Sequence, residues 1–165
     1  MAGLTPFQTV GPYLHLGLRV GLTPMTASGR TTALVLTGRL LDGAGHGIPD
    51  GVLEFWAAGF DGLGRTWTDA NGGYRLQAVM PATRVGPDGA VDAPHFAVRV
   101  LARGILSQLL TRVYFAGQPD NDRDVVLQGV PPERRDTLVA AATAPGEYHL
   151  DVVVQGERET VFFDV

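Results

Sequence analysis

The sequence predicts an all-β fold: a β-sandwich with long loops, an N-terminal arm and one short helix. Three observations indicate this class. Glycine and proline are abundant, at 22 and 11 of 165 residues, which is typical of a chain with many turns. Short apolar runs, β-branched or alternating with polar residues, recur from residue 32 onward. Only one segment carries helix signals, and closely spaced strands with so little helix favour two packed sheets.

The composition predicts one folded domain spanning residues 1–165, in a soluble, cytoplasmic protein. The hydrophobic fraction is 45% and the charged fraction is 18%, as in globular proteins. A net charge of −4 without a basic run disfavours nucleic-acid binding, because phosphate neutralisation needs clustered cations. The absence of cysteine excludes disulfides and thiolate chemistry. No apolar run approaches the length of a membrane span.

Residues 1–30 are predicted to form an extended arm followed by a loop. Pro6 and Pro12 fix the backbone at two points and Gly11 frees it at a third, which favours a specifically bent segment over a frayed tail. Two interpretations remain at this stage. The arm packs against its own domain, or it lines an active site.

The first strands are predicted from composition and alternation. Residues 32–41 are apolar and β-branched and end in the glycine-rich turn 42–47, where His46 is expected to be a solvated loop residue. Residues 51–56 alternate, so that Leu53 and Phe55 share a core face. The hairpin turn 69–73 joins strands at 65–68 and 74–79.

The second half of the chain continues the pattern after a loop at 81–93. In the predicted strand 94–103, alternate apolar residues from Phe96 to Ala102 share one face, and Arg99 and Arg103 share the other. Further strands are predicted at 109–115, 148–155 and 160–165. The only predicted helix spans 131–141, with proline in its first turn and Glu133 close behind, and is expected at the surface.

Several motifs together resemble the intradiol ring-cleavage dioxygenase family. Residues 5–13 are similar to the opening signature T-P-x-Q-T-x-G-P-Y of that family. Other matching segments follow in order along almost the whole chain: 38–42, 53–56, 64–66, 93–96, 102–105, 111–115, 134–138, 155–157 and 160–164. The resemblance implies a β-sandwich of the intradiol type. It also implies a non-haem ferric iron that binds a catecholic substrate, and insertion of O2 between the two hydroxylated carbons.

The same resemblance implies that iron is held by two tyrosinates and two histidines, a set suited to ferric iron. Residues 57–64 and 80–86, where the family carries the tyrosines, contain none. Of the H-x-H pair only His95 is present. We therefore expect this chain to bind no metal, and His95 to be a structural or interface residue.

A chain that keeps the arm and loses the ligands resembles the non-catalytic alpha-type subunit of a two-chain member of the family. The resemblance then implies an iron-bearing beta chain as partner, with an aromatic diol and O2 at the interface. It places pocket-lining roles on five residues: Thr9, Gly11, Pro12, Tyr13 and Arg103. Pro12 offers a rigid apolar wall, Thr9 a hydroxyl, and Arg103 a permanent charge suited to an anionic group.

Two alternatives remain open. The chain could be a metal-free β-sandwich that serves as a binding or scaffold module, although such a module needs neither the arm nor Arg103. A self-sufficient dioxygenase with an unusual ligand set is disfavoured by the missing tyrosines. The chain is also shorter than is usual in the family, mainly after Trp56 and before Thr32, which bears on the interface with a beta chain.

Overall fold

The computed structural model describes residues 6, 8–11, 13–17, 25 and 33–164, and these form a β-sandwich with few helices. The first strands are β1 (Ala33–Leu41), β2 (Val52–Trp56), β3 (Gly64–Trp67), β4 (Gly73–Val79), β5 (Arg84–Val85) and β6 (Val91–Asp92). The later strands are β7 (His95–Leu101), β8 (Leu109–Phe115), β9 (Val139–Ala144), β10 (Glu147–His149) and β11 (Val152–Val153). The α-helices are α1 (Leu14–Gly17) and α2 (Val125–Gly129), and short 3-10 helices span Pro119–Arg123 and Pro132–Thr137.

The strands follow one another in a nearly closed order, β11-β1-β10-β9-β8-β7-β2-β3, with β4 paired to β1. Most neighbours are antiparallel, including β1 with β4 and β7 with both β2 and β8. Three pairings are parallel: β1 with β10, β1 with β11, and β8 with β9. The strands β5 and β6 form a separate small hairpin beside the main sheet.

The core lies between the half built on β1 and β4 and the half built on β2, β7 and β8. Alternation along β1 buries Leu34 and Leu36 completely, and the same pattern along β7 buries Phe96. The Phe96 ring packs edge-on against Phe55 and Phe115, with centroid separations of 6.1 and 5.9 Å. Such edge-to-face aromatic pairs are favourable beyond the apolar area that they bury.

Most of the predicted strands are confirmed, and β8 has the predicted limits, 109–115. The predicted burial of the β7 face is also confirmed, since Phe96, Val98, Val100 and Ala102 are all buried. The predicted loop 81–93 contains the hairpin of β5 and β6, whose two-residue strands are too short to show an alternating pattern in the sequence. The predicted strand 148–155 is divided into β10 and β11, and residues 160–164 form no strand.

The predicted helix 131–141 is wrong in its second half. A 3-10 helix covers Pro132–Thr137, and the chain then enters β9 at Val139. The alanines that favour a helix in isolation pair here with β8 and β10, and this pairing outweighs their intrinsic preference. The true α-helix of the region, α2, begins after Asp124, whose side chain caps it.

Candidate functional site

The described part of the arm is attached to the end of β7 through Thr9. The backbone N–H of Gly104 donates a hydrogen bond of 2.8 Å to the Thr9 hydroxyl. The same hydroxyl lies 3.4 Å from the Ala102 carbonyl oxygen and 3.3 Å from that of Val10, so its proton has an acceptor in either direction. Two residues that the sequence assigns to one pocket, Thr9 and Arg103, are thereby brought together.

Arg103 stands at the exposed corner of a tight turn. The N–H of Ile105 donates to the carbonyl of Ala102 at 3.3 Å, and Gly104 has a φ of +84°. A positive φ at the third residue is typical of a type II turn and favours glycine there. The turn directs the Arg103 side chain away from the core, and 51% of that side chain is exposed.

A carboxylate partners the Arg103 guanidinium. Asp50 Oδ2 lies 3.6 Å from Arg103 Nη2, an ion pair rather than a hydrogen bond. Asp50 has a φ of 58°, a left-handed conformation that few residues other than glycine adopt. Sequence analysis did not single out Asp50, because the approach of the two loops is visible only in three dimensions.

Among the further described residues of the arm, Gly11, Tyr13 and Leu16 are exposed. Gly11 is exposed, and its carbonyl accepts a 3.2 Å hydrogen bond from the N–H of Leu14, which starts the short helix α1. Tyr13 is 74% exposed and Leu16 is 59% exposed, so both present apolar surface to solvent. Pro12 lies outside the described residues. The pocket-lining roles of these residues stay predictions.

A second polar cluster surrounds His95, on the face of β7 opposite the core. One ligand atom from each of Asp92, His95 and Asp124 lies within 4.8 Å of the others, a spacing compatible with a metal ion. His95 Nδ1 is 2.8 Å from the Ala93 carbonyl oxygen, and that contact requires the proton to sit on Nδ1. Burial lowers the pKa of His95, so the neutral ring is favoured.

Asp124 is the most heavily engaged member of this cluster. It is fully buried, and its carboxylate accepts the N–H groups of Val126 and Leu127, at 3.0 and 2.8 Å, as the N-cap of α2. It also accepts the Ala93 N–H at 2.8 Å and the Tyr114 hydroxyl at 3.0 Å. Four hydrogen bonds leave this carboxylate little capacity to ligate a metal.

Arg112 pairs with Asp92, one of the two carboxylates of the cluster. Its Nη1 lies 3.0 Å from Asp92 Oδ1 and 3.2 Å from the Tyr114 hydroxyl. Burial raises the pKa of Tyr114, so its phenol stays protonated and is unlike the tyrosinate that ferric iron requires. Because the Arg112 guanidinium already contacts Asp92 where a metal ion would bind, these residues do not form a ferric iron site.

The space beside His95 is also small. A recess of about 30 Å³ lies between Trp56, Pro81, Arg84 and His95, enough for a water or two. Pockets for small organic ligands measure about 300 Å³ or more, so an aromatic diol does not fit here. Within the described residues, the His95 region therefore does not match the ligand set that the resemblance implies for ferric iron, and its recess is too small for an aromatic diol.

An open groove of about 620 Å³ lies on the outer face of β2, β7 and β8. Trp56, Leu63 and Phe163 supply apolar walls. The buried carboxylate of Glu54 at its floor accepts from Arg65 Nε at 2.9 Å and lies 3.1 Å from Arg99 Nε. The two guanidiniums share this one carboxylate, so these polar groups are engaged with one another, and the apolar walls supply contact surface.

None of the helices in the described part of the chain has the length and apolar character needed to span a bilayer.

Comparison with known proteins identifies the family. No family model matches the chain. The protocatechuate 3,4-dioxygenase alpha chain of Burkholderia cepacia is 39% identical over 195 residues, covering 98% of this chain and 97% of that protein. The alpha chain of Pseudomonas putida is 34% identical and covers 97% of this chain and 96% of that protein. This chain belongs to the protocatechuate 3,4-dioxygenase alpha-chain family.

The beta chain of the same Burkholderia cepacia enzyme is also similar to this member of the alpha-chain family. It is 30% identical over 155 residues, covering 77% of this chain and 66% of that protein. The alpha-type and beta-type chains of this enzyme class are thus related in sequence, and the identification made from the motifs is confirmed.

Solved structures confirm the intradiol fold expected of the alpha-chain family. The dioxygenase domain of a dioxygenase carbohydrate-binding protein fusion from Streptomyces sp. SirexAA-E superposes with a TM-score of 0.60 at 25% identity, covering 92% of this chain and 98% of that one. The catechol 1,2-dioxygenase of Acinetobacter radioresistens gives a TM-score of 0.62 at 19% identity, over 93% and 62% of the two chains. At the lower identity the likeness concerns the fold alone.

Sequence reasoning missed three residues that the structure of this alpha-chain family member places in its polar clusters: Asp92, Arg112 and Asp124. One signal was available, because Asp124 directly precedes the apolar run of α2, as an N-cap residue does. The pairing of Asp92 with Arg112 carries no sequence signal, since it depends on the packing of β6 beside β8.

Proposed function

We propose that this chain is the non-iron-binding alpha subunit of a protocatechuate 3,4-dioxygenase. It would complete the active site of an iron-bearing beta chain that cleaves protocatechuate with O2 to 3-carboxy-cis,cis-muconate, a step of aromatic catabolism in the beta-ketoadipate pathway. The observation that carries the proposal is the hydrogen bond between Gly104 and Thr9, which fixes the arm beside the exposed Arg103. The alpha-chain and beta-chain relatives support the same assignment.

The chain's own residues would contribute binding and orientation. Arg103 carries a planar, permanently charged guanidinium, which suits the carboxylate that distinguishes protocatechuate from catechol. Among the described residues other than its chain neighbours, none has an atom within 4 Å of where a Cβ on Gly11 would stand, so its backbone would be accessible to a neighbouring ring. Pro12 would add a rigid wall, and Tyr13 already faces outward. The ferric iron of the partner would supply the chemistry of oxygen insertion.

The assignment of iron to the partner is supported by the chemistry of the His95 cluster. The Asp124 carboxylate already accepts four hydrogen bonds, and Arg112 forms an ion pair with Asp92. The family's ligand set of two tyrosinates and two histidines has no equivalent among these residues. We further propose that the arm and the sandwich belong to a single domain, because Thr9 ties one to the other.

Co-expression tests this function. The chain would be purified alone and together with its cognate beta chain, and each preparation assayed for iron content, for tyrosinate-to-iron absorption in the visible range and for protocatechuate cleavage. We expect all three signals from the pair and none from the chain alone. Iron, colour and turnover in the lone chain would refute the proposal. An inert complex that forms stably would favour a scaffold role instead.

A further inference from the structure

We propose that Thr9 and Asp50 are positioning residues that hold the Arg103 turn in one arrangement, so that its guanidinium is oriented for an anionic substrate group before the substrate arrives. This inference rests on the proposed function and deepens it. The residue that touches the substrate is Arg103. Thr9 and Asp50 act only through it, one on the backbone of the turn and the other on its side chain.

Thr9 is engaged with its own chain. Its oxygen accepts the Gly104 N–H at 2.8 Å, and its proton is within reach of the Ala102 and Val10 carbonyls. A hydroxyl used both as acceptor and as donor has little left to offer a substrate. The structure therefore assigns it a different task from the direct substrate contact that the motif suggests. It clamps the turn between residues 102 and 105.

The clamp acts on a turn that otherwise has few constraints. The turn is closed by the 3.3 Å hydrogen bond from Ile105 to Ala102, which is at the long end of the usual range. Apart from its two chain neighbours, no described residue has an atom within 4 Å of the Cβ position of Gly104, so packing by the described residues does not fix the corner. The hydrogen bond from the Gly104 N–H to Thr9 restricts the conformation of this turn. Thr9 belongs to the arm that would line the partner's pocket.

Asp50 approaches the guanidinium from a loop that is held firmly. The buried Thr68 hydroxyl accepts from the Gly51 N–H at 2.7 Å and donates to the Ile48 carbonyl at 2.7 Å, so it bridges both sides of Asp50. The Thr68 N–H also donates to the Gly51 carbonyl at 2.9 Å. Asp50 thus sits in its left-handed conformation on a rigid base, 3.6 Å from Arg103 Nη2.

The pair of Asp50 and Arg103 contributes little to folding. Both side chains are substantially exposed, at 39% and 51%, and exposed ion pairs add little to stability. Its effect would be on orientation, because a long arginine side chain loses rotamer freedom on binding unless it is already restricted. Preorganisation of this kind improves affinity without a new contact to the ligand.

The test uses variants of this chain in the co-expressed alpha–beta complex. Thr9→Val removes the hydroxyl and keeps the shape, and Thr9→Ser restores it. Asp50→Asn removes the charge and keeps a residue that tolerates positive φ. Thr83→Val is the matched control, because that hydroxyl donates to Asp120 at 2.6 Å in a different part of the surface. The readouts are kcat and KM for protocatechuate and the inhibition constant of catechol, which lacks the carboxylate.

We expect Arg103→Gln to raise the KM for protocatechuate by about tenfold, since hydrogen bonds to charged groups are the strong ones. Thr9→Val should raise it by about fivefold and Asp50→Asn by about threefold, with kcat and the catechol constant nearly unchanged. Thr9→Ser and Thr83→Val should resemble the unmodified complex. In an Arg103→Gln background, Thr9→Val and Asp50→Asn should have no further effect.

The possible outcomes distinguish the positioning roles of Thr9 and Asp50 from the substrate-binding role of Arg103. If Arg103→Gln changes neither KM nor kcat, the proposed role of Arg103 fails and the positioning roles fail with it. If Arg103→Gln is impaired but Thr9→Val and Asp50→Asn are not, only the positioning roles are refuted. A lower KM in Asp50→Asn would show that Asp50 merely weakens the positive potential. An equal loss of catechol affinity in Thr9→Val would indicate a general structural defect.

Discussion

Replacement of Asp124 by alanine should be among the most destabilising single changes in the chain. The fully buried carboxylate accepts hydrogen bonds from the N–H groups of Ala93, Val126 and Leu127 and from the Tyr114 hydroxyl. Alanine leaves all four donors without an acceptor. Each hydrogen bond to a charged group contributes about 1.5–3 kcal/mol net, but water entering the vacated space recovers part of the loss. We expect the free energy of unfolding to fall by about 4 kcal/mol.

Asparagine at position 124 gives an intermediate case. Its amide oxygen can keep the two N–H groups of α2, whereas its NH2 group would face the Ala93 N–H, donor against donor. We expect a loss of about 2 kcal/mol, between the aspartate and the alanine. Urea unfolding of the purified chain, followed by tryptophan fluorescence, measures both values.

The matched control is Asp88→Ala. Asp88 is exposed and accepts one backbone N–H, from Ala90, at 3.1 Å, so its loss should cost at most about 0.5 kcal/mol. A loss below about 1 kcal/mol for Asp124→Ala would refute the reasoning, because it would mean that the four donors find other partners. Similar losses at positions 88 and 124 would contradict it too.

Three further predictions concern the core, the pH dependence and the arm. Burial lowers the pKa of His95 below the value of 6.5 that it has in the unfolded chain. The unfolded chain therefore binds the proton first, and the free energy of unfolding falls as the pH drops below 6.5. In the His95→Gln variant, the urea midpoint should fall less between about pH 7 and 5.5 than in the unmodified chain. A Cβ on Gly38 would lie 1.8 Å from the Leu150 carbonyl oxygen, so Gly38→Ala should lower the melting temperature by about 6–12 °C. Gly129→Ala is the control, because no described residue beyond its neighbours lies within 4 Å of the added Cβ, and its melting temperature should stay unchanged. Tyr13→Ala should leave the melting temperature of the chain unchanged and weaken its complex with the beta chain, measured by titration.

The sheet strands were largely predictable, because burial on one face imposes a two-residue period. The alternation of Phe96, Val98 and Val100 predicted both the existence of β7 and its core face. The strand β9 was not predictable in this way, since Val139 and the alanines after it have no period and owe their conformation to pairing with β8 and β10. The local helix preference of these residues was outweighed by strand pairing on both sides of β9.

In the candidate site too, some residues were predictable from the sequence and their partners were not. The motifs identified Thr9 and Arg103, and in the structure Thr9 is hydrogen-bonded to the turn that carries Arg103. The partners that fix them could not be read from the sequence. Asp50 reaches Arg103 across two loops, and Arg112 of β8 reaches Asp92 of the separate β5–β6 hairpin. Both pairs depend on side-chain approach, which no spacing rule specifies.

The parallel pairing of β1 with β10 and β11 has a consequence for the order in which the protein folds. Val35 pairs with Glu147 and Leu40 with Val152, so one edge of β1 finds its partners only after more than a hundred further residues have been synthesised. Until then β1 can pair with β4 alone, and its other edge stays open to strands of other chains. Closing such distant contacts is slow because loop entropy is lost before the contacts form. The edge of β1 that faces β10 and β11 is therefore expected to close late in folding, after the antiparallel pair of β1 and β4 has formed.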